Sequence, residues 1–324
     1  MKPIFEVDLS PIGIAPLPAI AALSSIPESV CYHVAKGLRL PLGIYNVSIA
    51  RISSRLSTVC DRFEIYLRQG NTIAALESSD KLRAGLVDFI ELTIYAAAEH
   101  VDDIESIATG FFRDRQQERN AAFKLLQKDL KEIKRFVAVV ANVIKHQQAR
   151  IRTLTVEMTH AGIDCCLHGC FVEGVEAGVV SPRKILDATQ ECFSIPTLLW
   201  EIVTFVLRAS SVLRSFLDTV FGSVSLESPA IETHMFAKAI AVAARLPIYT
   251  FGEAHPFTRA SLLISGSAGG AELMDSGLYG SIRRPWKLHA TPAFGRFQGF
   301  WEGDGVTRSF RLPKIREVGL TQWR

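Results

Sequence analysis

Apolar residues recur along the middle of the chain at spacings of mainly three and four: Leu82, Leu86, Ile90, Ala97, Val101, Ile104, Ala108 and Phe111. That repeat predicts a long amphipathic helix. Ser78-Ser79-Asp80 supplies an N-cap region and Gly110 a stop. A second stripe, Ala122, Leu126, Leu130, Ile133, Val137, Val140 and Ile144, predicts a helix from about Asp114 to Arg150. At about 100° per residue, these positions fall within roughly 80° of one another. The first half of that helix is charged, with Lys124, Lys128 and Lys131 among Asp129 and Glu132. The second half differs, because Phe136, Val139 and Val143 fall off the stripe. A helix apolar nearly all round is expected to be buried on a second side, by another domain or another copy.

The pattern changes on either side of this pair. Five prolines between Pro3 and Pro27 suggest an extended N-terminal arm, followed by helical patterning from about Ser29 to Gln69 interrupted near Pro41 and Gly43. After Arg150, alternation in Ile151–Glu157, a turn at His160-Ala161-Gly162 and a returning stretch to Val175 predict a β-hairpin. Helical patterning resumes from Ser194 to Gly222 and from Glu232 to Arg245, and glycine, proline and aromatic residues then dominate to Arg324. The expected fold is mainly α, a helical bundle built on a long antiparallel helix pair. It carries a β-hairpin insertion at about 151–178 and a small β-rich C-terminal lobe. The expected divisions are 1–77, an arm and helices packing on the bundle; 78–226, the bundle with its hairpin; and 227–324, an α+β lobe.

Composition narrows the class. The chain has 324 residues, 48% of them hydrophobic, enough for a real core. A net charge of +3 confines any nucleic-acid binding to local patches. Met1 to Asp8 lacks the basic stretch and apolar run of a secretory signal, so cytoplasmic placement with reduced thiols is expected. Ile195 to Val220 is apolar, but Glu201, Arg208, Arg214 and Asp218 favour a buried helix over a membrane span.

Near the end of the second helix stands the cluster Asn142-Val143-Ile144-Lys145-His146. Asn142 and His146 are four apart and share a helix face, which Arg150 extends. The same angular arithmetic sets them roughly opposite the packing stripe, on the second face expected to be buried. Ala141-Asn142-Val143-Ile144-Lys145-His146 resembles the signature of HEPN domains with its arginine replaced by alanine. HEPN domains are helical bundles that often dimerise along their last long helices. Their signature is an Arg, a polar residue and, a few residues on, a His. The resemblance covers at most residues 78–225. It implies RNA chemistry without metal or other cofactor at the seam of a homodimer, in a prokaryotic defence or toxin context. His146 would be the acid/base, Asn142 would orient it or the phosphate, and Lys145 or Arg150 would be the nearest cations. An imidazole can move the proton of a ribose 2′-hydroxyl, and a cation can stabilise charge developing on phosphate. The missing arginine leaves a second expectation open: a non-cleaving scaffold that assembles a protein partner through the apolar face of helix 114–150.

Other constellations carry less. Cys165, Cys166, Cys170, Cys192, His160 and His168 crowd the hairpin, but no C-x-x-C pair exists and buried thiols are expected rather than a metal site. Ser265-Gly266-Ser267-Ala268-Gly269-Gly270 lacks the Lys-Ser/Thr of a P-loop and reads as a plain loop. His255-Pro256-Phe257 is not followed by the glycines of a Fic motif. Arg283, Arg284 and Lys287, interleaved with Trp286 and Phe294, and Arg135 on the second helix are the candidate nucleic-acid contacts.

Overall fold

Both apolar stripes are buried. Leu86, Ile90, Ala97, Val101, Ile104 and Ala108 of the first, and Leu126, Leu130, Val137 and Val140 of the second, lie in one core cluster. The chain is mainly helical with a β insertion. The structure is a computed structural model. It describes residues 17–70, 73–76, 79–114, 120–147, 149–160, 163–177, 179–185, 190–222, 234–253, 256, 260–265, 270–275, 288–291, 296–299, 311, 313–315 and 318–321. The extended arm was expected over residues 1–30; residues 1–16 lie outside the described residues, but residues 18–25 are a helix, with Pro18 in its first turn where a missing N–H costs nothing. The centre of the glycine loop and Arg283, Arg284, Trp286 and Lys287 also lie outside the described residues.

Helix α1 (Pro18–Ser25) buries Ala19, Ile20, Ala22 and Leu23, and Ser210 accepts a hydrogen bond from its first turn, at the Ala19 N–H. Helix α2 (Pro41–Leu67) begins where an interruption was expected. Pro41 occupies its first turn, where a missing N–H costs nothing. Residues 29–40 hold two single 3₁₀ turns instead of helix. After a short turn, α3 (Ile73–Leu76), comes α4 (Asp80–Thr109), which ends at Gly110 as its sequence suggests. Gly110 must be glycine for a packing reason, since a Cβ there would overlap the His33 ring.

The second long helix requires correction. It is two helices, α5 (Ala121–Ile133) and α6 (Arg135–Gln147), meeting at Lys134. Asn120 caps α5 by accepting the Phe123 N–H at 2.8 Å, so the helix starts later than Asp114. The halves part because they have different partners: α5 packs chiefly on α7 (Ile195–Phe221), and α6 packs on α4. Helix α6 ends at Gln147, whose side chain accepts from Arg183 at 2.5 Å, so Arg150 is not on the helical line.

The hairpin forms as β1 (Ile151–His160) and β2 (Ile163–Glu176), paired from Ile151↔Val172 to His160↔Ile163. Strands β3 (Val179–Pro182) and β4 (Phe193–Ser194) pair with β2. Residues 166–172 of β2 are covered on both faces. Cys166, Cys170 and Val172 join the helical core, while Leu167 and Phe171 join a smaller cluster with Leu154, Val156, Tyr249, Phe251 and Val318. Burial on both faces explains why apolar side chains and cysteines occupy both sides of this stretch, apart from His168 and Gly169.

Ser194 caps α7. Its Oγ accepts the Thr197 N–H at 3.1 Å and donates to the Tyr249 carbonyl at 2.6 Å, and its own N–H donates to buried Glu253 at 2.8 Å. Helix α7 is apolar and long enough to cross a membrane, but most of that apolar stretch is buried in the core.

The C-terminal third is woven into these layers. Helix α8 (His234–Ala244) packs on α2, and Arg245 pairs with Asp61 at 3.0 Å and Glu64 at 3.1 Å. The remaining strands are β5 (Tyr249–Thr250), β6 (Ala260–Ser265), β7 (Gly270–Asp275), β8 (Leu288–Thr291), β9 (Arg296–Gly299) and β10 (Val318–Thr321). Strand β9 pairs with β1, β10 lies between β5 and β8, and β6 pairs with β7.

Candidate functional site

Helix α6 buries one broad side. Val137, Val140, Ala141 and Val143 are in the core, and half-buried Phe136 packs its ring 5.5 Å from that of Phe193. The opposite side is open. Arg135, Val139, Asn142, Lys145 and His146 are exposed, Val139 to 37%. The expectation of burial for Asn142 and His146 is therefore corrected for the single chain. Of the apolar residues off the stripe, Phe136 meets the strand layer at Phe193 and Val143 is buried, whereas Val139 and Asn142 beside it stay exposed.

At about 100° per residue, Arg135, Val139, Asn142 and His146 fall on one row of the open side. Ala141, the position where the resemblance calls for arginine, is only 5% exposed. A long cation there would point into the core, so no cation stands in the motif position and none could without repacking.

Arg150 lies elsewhere, at a cleft between the first half of α4 and the start of β1. The cleft has a volume of about 260 Å³ and is lined by Arg83, Ala84, Val87, Asp88, Glu91 and residues 150–153. Residues 83, 87 and 91 lie half-buried on the side of α4 that flanks the core positions Leu86 and Ile90, and Val87 packs against the core. Glu91 Oε1 accepts the Ile151 N–H at 3.3 Å, fixing the strand start against the helix. Burial holds the Glu91 carboxyl above its usual range, and neighbouring Asp88 adds to this. Arg152 is fixed by a buried ion pair, its Nε 2.6 Å from Glu173 Oε1. The Glu173 N–H also donates to the Arg150 carbonyl at 2.9 Å.

The predicted candidates thus divide. Arg135, Asn142, Lys145 and His146 share the open side of α6, and Arg150 belongs to the cleft. Arg83, Asp88, Glu91 and Arg152 were not foreseen, because they come together only when β1 docks on α4. The one local signal was the charged residues Arg83, Asp88 and Glu91 on a helix whose other positions are largely core. Cys166, Cys170 and Cys192 are buried, with burial pushing the Cys170 and Cys192 thiols up. Compared with known protein families, curated proteins and solved structures, the chain matches none.

Proposed function

We propose that this chain is a HEPN-like, RNA-directed protein of the cytoplasm, which acts as a homodimer and cleaves RNA without metal at His146. One observation carries the reading: the exposed row Arg135, Val139, Asn142, His146. Steps of four, three and four separate its members, so the row reads the same in both directions. Two α6 helices packed antiparallel about a two-fold axis centred on this row set Arg135 of each copy against His146 of the other. Val139 then meets Asn142, which covers the exposed valine. The second copy thereby supplies the cation that Ala141 lacks.

The chemistry follows from that pairing. His146 takes the proton from a ribose 2′-hydroxyl, and the 2′-oxygen attacks the adjacent phosphorus. The bond from phosphorus to the 5′-oxygen breaks, and the imidazolium returns the proton to that oxygen. Arg135 of the second copy stabilises the charge on the phosphate oxygens, and Asn142 orients the imidazole. A prokaryotic defence or toxin role is the context the resemblance supplies.

In a metal-free assay on single-stranded RNA, wild-type protein is expected to cut. His146→Ala and Arg135→Ala are each expected to lose activity by at least ~100-fold. Both side chains are exposed, so both variants should keep the wild-type circular dichroism. RNA left intact by the wild type overturns the catalytic reading. The exposure of Val139 then favours the second one, a scaffold assembled through α6. In that case Val139→Asp reduces the sedimenting mass.

A further inference from the structure

We propose that the cleft between α4 and β1 binds a phosphate monoester carried on a small organic group. This inference does not depend on the α6 reading, since a chain that never touches RNA keeps the cleft. Arg83 of α4 and, from the start of β1, Arg150 and Arg152 line it. Guanidinium groups match phosphate oxygens through paired N–H donors. Arg152 is neutralised by Glu173, in a pair whose side chains are 9% and 14% exposed, so it orders this wall of the cleft, and Arg83 and Arg150 are the guanidinium groups offered to a phosphate. Arg150 is exposed and stands at the rim.

The rest of the lining sets the size and character of the ligand. Ala84, Val87 and Ile151 give an apolar part to which a sugar carbon skeleton can pack. Thr153 adds a hydroxyl, and Glu91 and Asp88 offer acceptors to ligand hydroxyls. About 260 Å³ is below the roughly 300–1,000 Å³ of sites for drug-sized ligands. The cleft therefore has room for one small phosphorylated group. The two acidic residues oppose the phosphate charge, so they limit affinity and provide a handle for the test.

Isothermal titration of the full chain with inorganic phosphate, ribose 5-phosphate and ribose separates the contributions. Ribose 5-phosphate is expected to bind, and ribose is not. Arg150→Ala and Arg83→Ala should each weaken the sugar phosphate by ~10-fold or more, the usual loss for a charge-assisted hydrogen bond. Glu91→Gln, which removes the opposing charge but keeps an acceptor for the Ile151 N–H, should tighten it several-fold. Tighter binding of the sugar phosphate than of inorganic phosphate assigns the apolar part to the sugar. Equal binding of the two shows that the organic group adds nothing and overturns the proposal of an ester site in favour of a plain anion site. Ribose binding as well as its phosphate, no heat from any of the three, or affinities unmoved by Arg150→Ala overturns the proposal.

Discussion

Lowering the pH from 7 to 5 is expected to destabilise the protein by about 4 kcal/mol through two buried histidines, as measured by urea unfolding at each pH. His100 is fully buried between α2 and α7. Its Nδ1 is 2.8 Å from the Ser48 hydroxyl, and its ring is 5.6 Å from that of Tyr45 and 6.3 Å from that of Phe205. His168 lies under α2, with Nδ1 3.0 Å from the Thr155 hydroxyl and its ring 4.9 Å from that of Tyr66. In both, Nε2 has no hydrogen-bond partner among the described residues. Burial lowers each pKa to about 3.

An unfolded histidine takes its proton near pH 6.5, so the folded form is favoured fully above that value. The advantage is lost as pH falls from 6.5 towards 3, at about 1.4 kcal/mol per pH unit for each group. Glu91 and Glu253, whose pKa values are raised by burial, work the other way, because the folded state binds their protons more readily. A variant comparison isolates the imidazoles: His168→Gln keeps a partner for Thr155 and cannot titrate. It should show a pH dependence shallower by about half of the histidine contribution. An unchanged slope in that variant contradicts the assignment.

The second large effect concerns Gly169. Replacing it by alanine is expected to cost about 3 kcal/mol, the upper end of overpacking penalties. The new Cβ would overlap the Phe251 ring and lie 2.8 Å from the Phe193 carbonyl oxygen. A ring can swing aside, but that carbonyl belongs to β4, which pairs with β2 at Gly169↔Ser194 and leads into the capped start of α7. Trimming the ring with Phe251→Leu should therefore restore only part of the loss. Full rescue in the double variant, read from urea midpoints, would show that the backbone contact is unimportant.

Much of the fold was legible in the sequence because burial imposes a period. The stripes from Leu82 to Phe111 and from Ala122 to Ile144 repeat with the helical turn, and the hairpin turn and the Ser194 cap carry local signals. The break at Lys134 carried none. Ile133 and Val137 continue the stripe across it, and only the change of partner from α7 to α4 separates the halves. The exposure of Asn142 and His146 was hidden for a related reason. Phe136 and Val143 announce a second buried side, but periodicity cannot say how far round the helix its cover reaches. The cleft was illegible because residues 83–91 and 150–153 meet only through tertiary docking. His100 and His168 look like any other histidines in the sequence, and nothing local marks them as core.

In the proposed dimer, two copies share each active site, with Arg135 from one and His146 from the other. Mixing unfolded Arg135→Ala and His146→Ala chains in equal amounts and refolding them together tests it most directly. Random pairing puts half of the dimers into the mixed form, each with one complete site of two, so roughly a quarter of wild-type RNA cleavage should return. If the mixture stays as inactive as its parents while the wild type cuts, Arg135 does not act across the seam and the account is contradicted.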